Sequence, residues 1–202
     1  MKLRTAGTRP THLALVAMAL MPAIPPTLAQ GDPARPENSA ITLYAGRMTD
    51  DDWVGSLRPG VDFVDSQLAT VSWSQTLLRP AARSWSLEWE ANATKHWGIQ
   101  DHWEFNLAAG ARWHRFPWND TVNTSVAFGV GPSYATETPA LEALPGKNKE
   151  KWLAFWYLEL ALSPPGSDWS GILRLHHRSD AFGLLGEVDS ADALTLGVRY
   201  AY

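Results

Sequence analysis

The feature that most constrains the fold of this chain is a two-residue alternation of apolar and polar side chains. Its clearest stretch runs from Trp103 to Trp113, where every second residue is apolar or aromatic and the intervening residues include Glu104, Asn106 and Arg112. Successive side chains of a β-strand point to opposite faces. The pattern therefore predicts a strand with one apolar face and one polar face.

Eight segments show this alternation, and each is about ten residues long or slightly longer, which is enough for a tilted strand to cross a bilayer. They are expected near residues 40–48, 66–78, 84–96, 102–115, 121–136, 151–163, 170–180 and 192–202. Eight strands can close into a barrel whose interior is filled by side chains. The sequence thus predicts an all-β fold, an eight-stranded antiparallel up-and-down transmembrane β-barrel.

The N-terminal residues 1–29 have the composition of a cleaved secretory signal peptide. Three basic residues come first, residues 13–21 form an apolar run, and residues 27–29 include small side chains suited to a cleavage site. The run is shorter than the roughly 20 apolar residues of a membrane-spanning helix. We therefore expect residues 30–202 to form one barrel domain in the outer membrane of a Gram-negative cell.

The composition excludes two other classes of function. The formal charge of −4 becomes more negative once the basic leader is removed, so a nucleic-acid partner is not expected. The chain has no cysteine and hence no disulfide or thiolate chemistry. Its 11 tryptophans fit the aromatic belts that barrels place at membrane interfaces.

Alternation alone does not tell which face points outward. A soluble, lipocalin-like barrel would bury its apolar rows around a ligand, whereas a membrane barrel turns them toward lipid. The charged residues of the polar rows, the aromatic ends of the apolar rows and the C-terminal Tyr200 and Tyr202 favour the membrane arrangement.

The lengths of the connections predict the orientation of the barrel. Extracellular loops of such barrels are long and periplasmic turns are short. The connections expected outside are 49–65, 137–150 and 181–191, and those expected inside are 79–83, 116–120 and 164–169.

The seventh predicted strand places a histidine and a serine on its outward face. Leu175 is expected to face lipid, so His177 and Ser179 share that face near the extracellular end. A neighbouring base can activate a serine hydroxyl, and a carboxylate can orient that base. Asp192 has the outward parity at the start of the last strand, and Asp189 in the preceding loop is the alternative.

These residues resemble the lipid A 3-O-deacylase family of outer-membrane barrels, also described as acyloxyacyl hydrolase-like. That family has eight strands, a His-X-Ser-Asn motif near the end of the seventh strand and a Glu on the next. The segment His177-Arg178-Ser179 matches the first three positions of the motif. Asp180 stands at the position of the Asn, which contributes to the oxyanion site in the family, and no Glu occupies the matching position of the last strand.

The resemblance implies hydrolysis of an ester-linked acyl chain of lipid A, at the outer leaflet, by Ser179 with His177 as general base. The substrate would be lipopolysaccharide, no cofactor or metal is required, and phospholipid is the other substrate left open. Cationic candidates for contact with the lipid phosphates are Arg178, Lys147, Lys149 and Lys151. The alternative, which the two departures from the motif favour, is a catalytically degenerate barrel with a structural or binding role.

Parity gives the inward-facing residues of the seventh strand a different expected role. Arg174, His176 and Arg178 alternate with the outward row and should pack in the lumen, where glutamates of the polar rows can pair with them.

Overall fold

The computed structural model of the chain describes residues 38–143 and 150–202. The predicted signal peptide, Lys147 and Lys149 lie outside the described residues. The described part contains one short 3₁₀ helix, Gly55–Leu57, and eight strands: β1 (Ser39–Thr49), β2 (Phe63–Leu78), β3 (Trp85–Gly98), β4 (His102–Trp113), β5 (Asn123–Ala135), β6 (Trp152–Ser163), β7 (Trp169–Ser179) and β8 (Ala191–Ala201).

The strands form a closed antiparallel barrel in chain order. Each strand pairs with its sequence neighbours, and β8 pairs with β1, where Ala40 lies opposite Ala201 and Met48 lies opposite Ala193. Every predicted strand end lies within three residues of the observed one. The predicted fold class is confirmed.

The apolar rows face outward, as the aromatic ends of the rows predicted. On β4, Trp103, Phe105 and Leu107 are 46%, 48% and 50% exposed, whereas Glu104 and Asn106 between them are buried. A lipocalin-like arrangement with an apolar interior is therefore wrong. In the part of the chain that the structure describes, no helix is long and apolar enough to cross a membrane.

A network of charged side chains fills the middle of the barrel. The buried guanidinium of Arg174 donates to Glu159 at 2.8 Å from Nε and to Glu90 at 2.6 and 2.8 Å from its two terminal nitrogens. It also lies over the rings of Tyr157 and Tyr44, at 4.1 and 4.7 Å from their centroids. This one side chain of β7 thus contacts β1, β3 and β6.

A second arginine extends the network toward the other end of the barrel. Arg112 on β4 donates to Glu88 at 2.8 Å and to Glu159 at 2.9 Å, so Glu159 is shared by Arg112 and Arg174. Arg199 on β8 lies 3.5 Å from Glu88. Removing a charge from water is costly unless it is paired and hydrogen-bonded, and here the charges are paired across the lumen.

The strand connections at one end of the barrel are not uniformly long. The β1–β2 loop (residues 50–62) and the β7–β8 loop (residues 180–190) lie at that end, but so does the three-residue β3–β4 turn, residues 99–101. The connection 114–122 at the opposite end is longer than this turn. The assignment of the first end to the cell exterior remains a prediction.

We expect Arg174→Met to destabilise the barrel by about 3–5 kcal/mol, because it leaves Glu159 and Glu90 without a principal cationic partner in a buried site. Urea unfolding of the refolded protein in vesicles measures the change. The matched control is Arg58→Met, which alters an exposed arginine of the β1–β2 loop and should shift stability by less than about 0.5 kcal/mol. Equal losses from both variants would contradict the role assigned to the network.

Candidate functional site

The pairing of β7 with β8 places a histidine beside a carboxylate on the outer wall. His177 lies directly opposite Asp192 in the strand register. Nδ1 of His177 is 2.8 Å from Oδ1 of Asp192, and both side chains are buried. A carboxylate oxygen only accepts, so Nδ1 carries a proton, and whenever the ring is neutral its Nε2 holds the lone pair. This is the state that a general base requires.

The structure distinguishes between the two candidate carboxylates. Asp189 is exposed in the β7–β8 loop, where its Oδ1 accepts a hydrogen bond from the backbone N–H of Ser190 at 2.9 Å. Asp192, and not Asp189, is therefore the carboxylate brought to His177.

Two tryptophans cover the histidine ring. Trp156 on β6 stacks on His177, with ring centroids 4.4 Å apart and planes 27° apart. Trp53 of the β1–β2 loop meets Trp156 edge to face at 6.0 Å. Trp53 is 49% exposed and Trp156 is partly exposed, so solvent or lipid reaches these indole rings whereas His177 beneath them is buried.

The β1–β2 loop is also attached to the wall beside Asp192. Thr49 at the end of β1 shares a 2.7 Å hydrogen bond with Ser56 of the 3₁₀ helix, and its hydroxyl donates to the backbone carbonyl of Asp192 at 3.3 Å. These contacts keep the loop against the outer wall. The His177–Asp192 pair is thereby recessed, although its side chains have the outward parity.

Ser179 lies two residues beyond His177 and has the same parity. It is partly exposed and pairs in register with Ala154 of β6. Among residues 38–143 and 150–202, no hydrogen bond joins Ser179 to His177. Residues two apart on a strand are separated by roughly 6–7 Å along it, so a direct contact requires both side chains to lean toward each other. Such contacts often tighten only when substrate is bound.

The segment after Ser179 turns sharply. Asp180 is partly exposed, and its backbone carbonyl accepts from the N–H of Leu185 at 2.9 Å. Ala181 and Phe182 have positive φ values of 53° and 61°, in the left-handed region that non-glycine residues seldom adopt. Phe182 is fully exposed, so an apolar side chain projects from the loop next to the serine.

Arg178 does not lie where a contact with lipid phosphate would require it. Its side chain is buried inside the barrel, where it donates to Ser133 at 2.8 Å and to the carbonyl of Lys151 at 2.7 Å, and pairs with Glu142. The inward position follows from parity, and it corrects the suggestion that Arg178 binds a lipid phosphate. The ammonium group of Lys151 donates to the carbonyl of Thr136.

Sequence reasoning missed the residues that cover the site. The alternation of β6 places Trp156 on the outward face beside the strand of His177, and this pattern could have indicated its contact with the site. Trp53 and Thr49 carried no such signal, because their contacts depend on how a loop folds across strands that are distant in sequence.

Comparisons with known proteins show the fold. No protein-family model matches the chain, and no curated protein matches it in sequence. Among solved structures, the outer-membrane enzyme PagL superposes with a TM-score of 0.57 at 14% identity, covering 80% of this chain and 98% of PagL. Neisserial surface protein A superposes with a TM-score of 0.50 at 10% identity, covering 83% of this chain and 98% of that one. This chain has the eight-stranded fold of outer-membrane barrels.

The buried Glu142 gives a pH-dependent contribution to stability. Burial raises the pKa of this loop carboxyl to about 7, and the Arg178 guanidinium only partly offsets that effect. A carboxyl that holds its proton more tightly in the folded state stabilises the fold at low pH, and this contribution is lost as the pH rises through the folded-state pKa. We therefore expect the stability of the wild type relative to Glu142→Gln to fall between pH 5 and pH 8.

Urea unfolding of both proteins at the two pH values measures this difference. The control is Glu137→Gln, which changes a largely exposed glutamate of the same connection and should leave the pH dependence of the wild type unaltered. A wild-type advantage that grows with pH would contradict the expected direction.

Proposed function

We propose that this chain is an outer-membrane serine esterase that hydrolyses an ester-linked acyl chain of lipid A at the outer leaflet. The observation that carries the proposal is the His177–Asp192 hydrogen bond on the outward side of the wall, with Ser179 next along the same row. An imidazole with Nδ1 bound to a carboxylate and a serine of the same parity are the parts that an acyl-transfer site needs.

In the proposed reaction, Oγ of Ser179 attacks the carbonyl carbon of the ester at position 3 of lipid A, while Nε2 of His177 takes the hydroxyl proton. The bond from that carbon to the sugar oxygen then breaks, and His177 returns the proton to the leaving oxygen. Water hydrolyses the acyl-serine by the same steps in reverse roles. Asp192 holds the ring and stabilises its transient positive charge. The balance requires only substrate and water, with no metal or cofactor.

The recessed position of the pair supports this role. Trp156 and the β1–β2 loop exclude water from His177 and Asp192, and electrostatic interactions are stronger in a water-poor site. The π-face of Trp156 also lies against the ring that becomes a cation during the reaction, which is the favourable geometry for a cation–π contact.

The oxyanion must be stabilised by a group other than the Asp180 side chain, because a carboxylate repels developing negative charge. The backbone N–H groups of residues 181–183 are the candidates. All three residues have positive φ, and among the described residues no backbone hydrogen bond uses their N–H groups. Preorganised backbone donors are a common means of stabilising such charge.

The route of the substrate is proposed to pass the β1–β2 loop. Trp53 is half-exposed at the outer side of the stack, so an acyl chain that reaches His177 displaces or slides beside it. The exposed Phe182 follows the serine by three residues in the chain and is proposed to provide apolar contact at the membrane surface.

The setting of this reaction is part of the same proposal. It includes export with cleavage of residues 1–29 and residence in a Gram-negative outer membrane, with lipopolysaccharide as partner. The motif resemblance and the fold shared with the outer-membrane enzyme PagL support it.

Cells that express the protein should accumulate a lipid A species lighter by one 3-linked acyl chain. Ser179→Ala and His177→Ala should each abolish that species, because one removes the nucleophile and the other the base. Mass spectrometry of lipid A measures the outcome, and heat-modifiable migration on gels confirms folding. The matched control, Ser170→Ala, changes an inward-parity serine at the other end of β7 and should retain activity.

An unchanged lipid A profile in cells with abundant folded wild-type protein would contradict the esterase proposal. It would favour the alternative of a catalytically degenerate barrel with a structural or binding role. If the protein released fatty acid from phospholipid vesicles and left lipid A unchanged, its substrate would be phospholipid rather than lipid A.

Asp192→Asn should lower the rate of deacylation by about 10²–10⁴-fold, because the amide no longer stabilises the charged imidazole. Asp189→Asn is the matched control and should retain the wild-type rate, since Asp189 is exposed and directed to Ser190. Initial rates on purified lipopolysaccharide in detergent measure both. The opposite ranking of the two variants would show that the loop aspartate is the functional one.

A further inference from the structure

Two histidines and a glutamate meet inside the barrel, away from the candidate esterase site. His96 near the end of β3 lies opposite His102 at the start of β4, and Glu104 is the next inward-facing residue of β4. The three-residue turn 99–101 joins the two strands beside them. All three side chains are buried, at 4% exposure or less.

The cluster offers three ligand atoms to a small divalent cation. The two imidazole rings are nearly parallel, with centroids 4.4 Å apart and planes 11° apart. One ring nitrogen of each histidine and one oxygen of Glu104 all lie within 4.8 Å of one another. Ligand atoms around tetrahedral Zn²⁺ are about 3.3–3.5 Å apart when their bonds are about 2.0–2.1 Å long. Because a histidine nitrogen binds Zn²⁺ in the plane of its ring, binding one ion requires the stacked rings to turn toward each other and the three ligand atoms to move closer by roughly 1 Å.

A second observation, an unpartnered ring nitrogen, points to the same kind of ligand. Nε2 of His102 is buried and has no hydrogen-bond partner among the described residues. Buried polar nitrogens are almost always satisfied, so an orphaned imidazole nitrogen beside a carboxylate calls for an explanation. A lone pair of this kind is the donor that Zn²⁺ takes from histidine.

The neighbours of the cluster hold its members as an outer shell holds metal ligands. Gln100 donates to Nδ1 of His96 at 3.2 Å, while Glu104 accepts from His176 at 2.9 Å and from Asn106 at 2.6 Å. His96 also lies 3.0 Å from Glu104 through Nε2. Binding through Nε2 moves the His96 proton to Nδ1, where the Gln100 oxygen accepts it once the amide has turned over.

We propose that His96, His102 and Glu104 form a Zn²⁺ site in the lumen of the barrel, at the end that carries the β3–β4 turn. Two imidazoles and one carboxylate are a ligand set typical of zinc, with water in the fourth position. The site is structural in this proposal. It joins β3 to β4, and through the Glu104–His176 contact it also fixes β7. It does not depend on the proposed esterase function.

The test uses the full barrel, refolded in detergent without an affinity tag and treated with a chelator. Titration with Zn²⁺ by calorimetry, and with Co²⁺ by visible absorption, should give one ion per chain and a tetrahedral Co²⁺ spectrum. His102→Ala should weaken Zn²⁺ binding at least roughly 100-fold, since loss of even an outer-shell partner can weaken binding 10–100-fold. Glu104→Gln should also weaken binding.

Two controls make either result informative. His114→Ala changes a histidine that follows β4 at the opposite end of the barrel, where it bonds to Ser86. It should leave the Zn²⁺ affinity unchanged. Because Nε2 of His102 has no partner, His102→Ala should fold, and heat-modifiable migration checks this. The proposal would be overturned if folded His102→Ala still bound Zn²⁺ tightly. It would also be overturned if the wild type bound no Zn²⁺, whether the ion is added to the folded barrel or is present during refolding.

Discussion

The shared contact of Arg174 and Arg112 with Glu159 is the interaction on which the rest of the barrel depends. A sheet whose apolar faces all point outward must fill its lumen with polar groups, and charged groups there are tolerated only when they are paired. Glu159 receives a cation from β7 and another from β4, and Glu90 and Glu88 complete the pairs from β3. The network therefore joins strands that are not neighbours in the sheet and opposes any slip of register.

The same network determines what β7 presents on the outer wall. Arg174, His176 and Arg178 are each held from the inside by carboxylates. Because alternate residues of a strand face opposite sides, fixing this inward row directs His177 and Ser179 outward. A one-residue slip of β7 would turn both into the lumen and bring arginines to the lipid side, where a charged group is expensive.

Period-two alternation made most of the fold predictable, because parity alone assigns each side chain of a strand to one face. The inward position of Arg178 and the outward position of His177 both follow from it. The choice between Asp192 and Asp189 was open in the sequence, since it depends on the register of β7 against β8. The contact of Trp53 with Trp156 was not predictable, because the packing of a loop against a strand that is distant in sequence leaves no periodic signal. His102 and Glu104 share an inward row of β4 by parity, but their convergence with His96 of β3 requires the hairpin geometry.

The outer wall is not uniform, and the difference lies at the candidate site. Leu43, Leu107 and Leu196 are between 50% and 66% exposed, as expected for side chains that meet lipid. Leu175 and His177 have the same outward parity but are only 2% and 6% exposed. Since the β1–β2 loop is attached at Asp192 and reaches Trp156, the wall around His177 is covered by protein rather than by lipid. The covered stretch of the wall therefore coincides with the histidine–carboxylate pair of the candidate site.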